Sequence, residues 1–147
     1  MSYISNADIE LRLGTAVLTQ LTDDAGTGAI NSSVVDEARL GAEGEVNSYL
    51  ARRYLTPVDV AVHPELGGLL ASLSLDIAAY RLSSRRPPVP DAVVERYRAG
   101  LTWLARVADG VVVLPSAAPL AAPPSSGLVA GTSGDEAVLS RDELAGL

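Results

Sequence analysis

Residues 64–84, PELGGLLASLSLDIAAYRLSS, are the feature that most constrains the fold of this 147-residue chain. Their apolar side chains recur at spacings of three and four, which indicates a helix, and they occupy two stripes. The first stripe contains Leu66, Leu69, Leu70, Leu73, Ile77 and Tyr80, and the second contains Leu75, Ala79 and Leu82. A helix that is apolar nearly all round must be covered on several sides. The sequence therefore predicts a helical bundle with this segment at its centre.

Two predicted helices precede the central one. The first begins at Ser5 or Asn6, which suit an N-cap, and stops at Gly14, and TAVLTQL directly after it could add one more turn. The second begins near Asn31 or Ser33, with an acid three residues after Ser33 in a capping-box position, and runs to about residue 55. One face of this long helix carries Val35, Ala38, Ala42, Val46, Tyr49 and Arg53.

The C-terminal third of the chain contains a predicted helix, then a short β-branched run, then a linker. After the rigid connector RRPPVPD, a last helix is predicted from Asp91 to Gly110. The β-branched run VVVL follows and predicts a short strand that needs a partner, and beyond Pro115 the sequence is a Pro, Ala, Ser and Gly linker. The expected fold is all-α, a small bundle of about four helices with a short C-terminal strand and an extended Pro/Ala-rich tail. Residues 1–110 form the predicted helical domain, and residues 111–147 form an arm and tail.

Charge is distributed unevenly along the chain, whose formal net charge is −7. Residues 1–80 hold four arginines and eleven acids, residues 81–106 hold six and two, and residues 107–147 hold one and five. The basic segment has two open interpretations: a solvated helix face, or a contact in which it meets the acidic surface of another copy. On the second interpretation, the predicted subunit or portal interface comprises Arg81, Arg85, Arg86, Arg96, Arg98, Val111, Val112, Val113 and Leu114.

Residue patterns typical of catalysis or metal binding are missing from the sequence. There is no cysteine, His63 is the single histidine, and the serines occupy no nucleophile motif. The expectation is therefore a protein that is not an enzyme, with no catalytic residue, no metal and no cofactor. The acidic balance disfavours wrapping by nucleic acid, and no apolar run reaches the roughly 18 to 20 residues of a membrane span. Asp76, within the central helix, predicts an ion pair with an arginine from a neighbouring helix.

The segment LTDDAGTGAIN, residues 21–31, has some features of a calcium-binding loop. If Gly28 takes the invariant glycine position of an EF-hand, Asp23 becomes the first ligand. Ala25, Thr27 and Val34 then fall where further oxygen ligands are needed, so we predict a structural loop that is independent of metal. The alternative is a small acidic binding module that uses residues 22–31 for a divalent cation, and calorimetry with calcium would separate the two.

Several segments, taken in order, resemble the Mu-like phage family of head-tail adaptor (connector) proteins over about residues 1–114. They are YI followed by ADIELRLG, then LTDDAGTGAIN leading into a long helix, YLARRYLTPV, DIAAYRL, and the final helix that begins at ERY. Family members often carry acids before the proline that follows the third helix, whereas this chain has Ser83, Ser84, Arg85 and Arg86. The tail from Pro115 lies outside the resemblance.

The resemblance implies an all-α subunit of a ring of twelve copies beneath the portal protein of a tailed phage or phage-like particle. Such a ring extends the DNA channel, through which DNA passes without sequence-specific binding, and presents a platform to the next neck or tail component. No catalytic residue is implied. The implied location is the virion neck, with the host cytoplasm during assembly, and no membrane. A tail-completion or stopper protein of the same particle is an alternative.

Overall fold

The computed structural model describes residues 1–115, which contain five helices. They are α1 (Asn6–Leu13), α2 (Thr15–Thr22), α3 (Ser32–Leu50), α4 (Pro64–Ser83) and α5 (Asp91–Ala108). The prediction of an all-α fold is confirmed. The predicted tail from residue 116 onward lies outside the described residues.

The helix α4 occupies the centre of the bundle and contacts each of the other four helices. Both of its apolar stripes are used, because Leu70 and Ile77 of the first stripe and Leu82 of the second are fully buried. Gly100 on α5 lets that helix come close, since a Cβ there would lie 3.3 Å from Leu73 Cδ2. The position of α4 confirms the prediction from its two stripes.

A glycine divides the predicted first helix from an additional one. Ser5 caps α1 through a capping box with Asp8, and the chain then turns at Gly14, where φ is 85°. This left-handed conformation suits glycine and ends α1, so TAVLTQL forms the separate eight-residue helix α2. Leu18 and Leu21 of α2 are buried in the core. The bundle therefore has one more helix than predicted.

The helix α3 ends at Leu50, earlier than the predicted end near residue 55. Asn31 is its N-cap, with its side chain accepting from Ser33 N, so the predicted capping box does not form. At the other end Arg53 leaves the helix to cap α5, where its Nε donates to Ala108 O at 3.1 Å and its Nη2 to Asp109 O at 3.2 Å. Caps made with distant segments are not visible in local sequence.

A buried carboxylate fastens the N-terminal segment to α3. Glu43 Oε1 accepts hydrogen bonds from Ser2 Oγ at 2.6 Å, Tyr3 N at 2.7 Å and Ile4 N at 3.1 Å. Arg39, one turn earlier, lies 3.7 Å from the other carboxylate oxygen. Burial is the main cause that raises the pKa of the Tyr3 hydroxyl, which also lies near Glu43. Glu43 thus satisfies two backbone donors that have lost water.

The predicted C-terminal strand is wrong, because residues 111–115 form bends and a turn rather than a strand. Leu114 is only 3% exposed within the hydrophobic core, and its N–H donates to Tyr54 Oη at 2.8 Å. Val112 packs partly against the same core, while Val111 and Val113 are 75% and 70% exposed. The β-branched run that suggested a strand instead packs this segment onto its own subunit through Val112 and Leu114. The core continues past the predicted boundary at residue 110, and the division into domain and arm stays a prediction.

Candidate assembly interface

The five arginines predicted to face a partner fall into two groups. Arg81, Arg85 and Arg86, at and beyond the end of α4, bind acidic or carbonyl groups of their own subunit. Arg96 and Arg98, on α5, make no ion pair with any carboxylate among residues 1–115. The basic segment is thus only partly neutralised within residues 1–115. The interface role of all five arginines stays a prediction.

Arg81 lies along the surface of α3. Its Nη2 donates to Glu45 Oε2 at 2.8 Å. The guanidinium covers Gly41, where a Cβ would lie 2.8 Å from Arg81 Nη1. A glycine at this position thus gives the arginine room to reach the carboxylate one turn further along α3.

Arg85 and Arg86 tie the loop after α2 to the end of α4. Arg85 donates to the carbonyl of Leu21 and to Asp24 Oδ2, and Arg86 Nη2 donates to Asp24 Oδ1 at 3.1 Å and to Asp23 O at 3.3 Å. Two guanidinium groups share one carboxylate, so a net positive charge remains. Both arginines remain partly exposed, but part of their bonding capacity serves the fold.

A cleft of about 410 Å³ lies where α3, α4 and α5 meet, and it contains two of these arginines. Tyr80 and Tyr97 stack within it, with ring centroids 3.9 Å apart and an angle of 4° between the rings. Tyr97 Oη donates to Glu45 Oε1 at 3.0 Å, so this carboxylate binds a tyrosine and Arg81 at once. Burial, followed by the bond to Glu45, raises the pKa of the Tyr97 hydroxyl.

A second cleft, the arginine cleft, has a volume of about 300 Å³ and lies between α1, α4 and α5. Its polar groups are Arg12, Asp76 and Arg96, and its apolar walls are Leu13, Ala79 and Val93. Arg12 Nη2 pairs with Asp76 Oδ1, which confirms the predicted ion pair between Asp76 and an arginine of a neighbouring helix. The sequence could not show that a second arginine, Arg96, lines the same cleft.

The Asp23 loop is closed by its own backbone. Asp23 Oδ1 accepts from Thr27 N at 2.9 Å and Oδ2 accepts from Gly28 N at 2.7 Å, and these bonds lower the pKa of its carboxyl. Its neighbour Asp24 is held by the two arginines described above. Among residues 1–115, no group of three or more His, Cys, Asp or Glu side chains is arranged to hold a metal ion. Ile30 packs against the core, as expected for a structural loop.

We expect Asp23→Asn to lower the thermal midpoint equally with calcium and with a chelator, because the carboxylate serves backbone donors. The pKa of Asp23 is lower in the folded chain than in the unfolded chain, so its ionised carboxylate stabilises the fold at pH values above the unfolded pKa. This stabilisation is lost as the pH falls through the folded pKa. Differential scanning calorimetry would measure both effects. A midpoint that calcium raises in the wild type alone would support the cation-binding alternative instead.

A phage protein family described as bacteriophage Mu, Gp36 matches residues 3–132 of the 147-residue chain. The chain belongs to the bacteriophage Mu Gp36 family. Membership in this family indicates a structural or morphogenesis protein of a phage. The match continues to residue 132, so the prediction that the resemblance ends near residue 114 is wrong. No curated protein sequence matches the chain. In residues 1–115 of this Gp36 protein, no helix is long and apolar enough to cross a membrane.

Proposed function

We propose that this protein is a head-tail adaptor, one subunit of a ring that lies below the portal protein and joins the phage head to the neck or tail. The observation that carries the proposal is membership in the Mu Gp36 family over most of the chain. The proposed ring extends the DNA channel, with DNA passing through it without sequence-specific contacts. Its other partners are the portal protein and the next neck or tail component, and the role requires no catalysis and no cofactor.

The distribution of charge supports self-assembly. Arg98 and Arg106 lie exposed on α5 and make no ion pair with a carboxylate among residues 1–115, while the whole chain carries a net charge of −7. A basic face on an otherwise acidic subunit attracts another copy and opposes association between like faces. Such a pairing joins two different surfaces, and contacts of that kind close into rings when the rotation between subunits permits.

Removal of the protein from the phage tests the proposal. Without an adaptor, particles should accumulate as separate heads and tails in electron micrographs, and supplying the wild-type chain should restore joined particles. Imaging of the restored neck should show a ring of copies between portal and tail. Joined particles that form without the chain, or density for it only elsewhere in the particle, would reject the adaptor role. A location at the tail end would favour the tail-completion alternative.

We expect Arg98→Glu to reduce the yield of joined particles several-fold in a reconstitution from purified parts, because it reverses a charge that has no ion-pair partner among residues 1–115. The loss should be larger at low salt, where attraction between exposed charges is less screened. Arg52→Glu is the matched control, since Arg52 is exposed, lies outside the predicted interface and pairs only with Asp109 at the surface. Equal yields for the two variants would argue against α5 as an interface.

A further inference from the structure

The lining of the arginine cleft contains two guanidinium groups and one carboxylate. Arg12 and Asp76 pair across the half-buried floor, and Arg96 reaches the cleft from α5. Arg96 Nε donates to Ala92 O of its own helix at 3.2 Å, which holds the side chain back along α5 and leaves its other N–H groups for another acceptor. Among residues 1–115, Arg96 has no ion-pair partner. The cleft therefore carries a surplus positive charge.

This combination of groups suits an acidic peptide that also carries small apolar side chains. A carboxylate can accept two parallel hydrogen bonds from an arginine, and partial burial strengthens the attraction. The walls formed by Leu13, Ala79 and Val93 provide apolar surface beside the guanidinium groups. A ligand for this site should therefore carry acids beside a short run of aliphatic residues.

The chain itself contains such a sequence at residues 135–143, DEAVLSRDE. It has four carboxylates and one arginine, and Ala137, Val138 and Leu139 lie between the acidic pairs. We propose that the arginine cleft binds the acidic segment 135–143 of a second copy of the chain. The proposal rests on the proposed function only in that both require contact between copies.

The sequence between Pro115 and Asp135 is long enough to carry the acidic segment to a neighbouring copy. Leu114 is fixed at Tyr54, near the C-terminal end of α5, whereas Arg96 lies twelve residues before Ala108, or about 18 Å along the helix. The intervening sequence contains Pro119, Pro123 and Pro124, and proline-rich spacers are stiff and extended, at about 3.1 Å per residue. At that rise the residues between Pro115 and Asp135 would span about 59 Å, so the acidic segment can reach well beyond its own subunit.

The test uses a labelled peptide of residues 133–147 and the full-length chain with Asp135→Asn, Glu136→Gln, Asp142→Asn and Glu143→Gln, which removes competition from the chain's own acids. Fluorescence anisotropy should show saturable binding that weakens with salt. Adding Arg96→Gln to the protein should weaken binding about ten-fold, as expected for loss of a charge-assisted contact. Arg52→Gln, which removes an exposed arginine outside both the cleft and the predicted interface, is the control and should leave binding unchanged.

Three results would overturn the proposal: no binding, equal binding to the Arg96→Gln and Arg52→Gln proteins, or equal binding of a peptide with its four acids neutralised. A short DNA duplex that displaces the peptide and itself depends on Arg96 would assign the cleft to phosphate and also reject the proposal. Circular dichroism of each variant separates loss of fold from loss of binding. The adaptor role is tested separately, by the joining of heads to tails in particles. Failure of the peptide experiment would therefore reject the cleft proposal and not the adaptor role.

Discussion

Truncation after Gly110 is expected to destabilise the helical body relative to truncation after Pro115. The shorter chain lacks Leu114, which is 3% exposed, and burial of a leucine side chain contributes about 1.5–3 kcal/mol. It also removes the N–H that donates to Tyr54 Oη, and loss of such a bond costs about 0.5–1.5 kcal/mol. Together these losses are a large part of the 5–15 kcal/mol typical of a folded domain.

Urea unfolding followed by far-ultraviolet circular dichroism would compare the two truncated chains with the full-length protein. Leu114→Ala in the full-length chain should reproduce most of the loss, about 2–4 kcal/mol, because it removes the same buried side chain. Val113→Ala is the matched control, since Val113 is 70% exposed. If the chain that ends at Gly110 unfolds at the same urea concentration as the one that ends at Pro115, residues 111–115 contribute nothing to the core.

Glu43→Ala is expected to lower the free energy of unfolding by about 3 kcal/mol. The backbone N–H groups of Tyr3 and Ile4 would lose their charged acceptor while still buried, and an unsatisfied buried donor costs about 1–3 kcal/mol. The loss would also release the Tyr3 hydroxyl, which donates to Asn47 Oδ1 at 2.6 Å and accepts from Val58 N at 2.9 Å. Glu43→Gln keeps one oxygen acceptor and should cost less.

Hydrogen exchange would locate this effect, because the amides of Tyr3 and Ile4 should lose protection before those of α4. Glu37→Ala is the matched control, since Glu37 is an exposed carboxylate on the same helix and contacts no residue of the N-terminal segment. Its change in unfolding free energy should be within about 0.5 kcal/mol of zero. Equal stability of the Glu43→Ala and Glu37→Ala proteins would show that the buried carboxylate does not hold the N-terminal segment.

Local periodicity predicted much of the buried face of α3 and α4, although Leu69 of the first stripe is 38% exposed and the buried Glu43 was not predicted. Val35, Val46 and Ile77 lie in the core because spacing along a helix determines which side chains share a face. Periodicity also showed that Asp76 needs a basic partner, since its apolar neighbours make an unpaired carboxylate costly. It could not identify that partner as Arg12, 64 residues earlier in the chain.

Contacts between separate elements account for what the sequence did not predict. The sequence suggested that Asp24 belongs to an independent structural loop, but its carboxylate binds Arg85 and Arg86, which lie beyond the end of α4. Tyr80 and Tyr97 each fitted an apolar stripe, and nothing in either stripe showed that the two rings stack. The β-branched run at residues 111–114 was compatible both with a strand and with packing on the bundle. Such choices depend on how helices are arranged in space, which local patterns do not specify.

The attachment of Leu114 to Tyr54 determines how the body would carry a mechanical load. A pull applied at Pro115 acts next on Leu114, whose N–H is bonded to Tyr54 beyond the end of α3. Arg53, the residue before Tyr54, holds the last carbonyls of α5. Tension would therefore be divided between α3 and α5, and it would have to shear packed side chains before it could unwind α5 from its end.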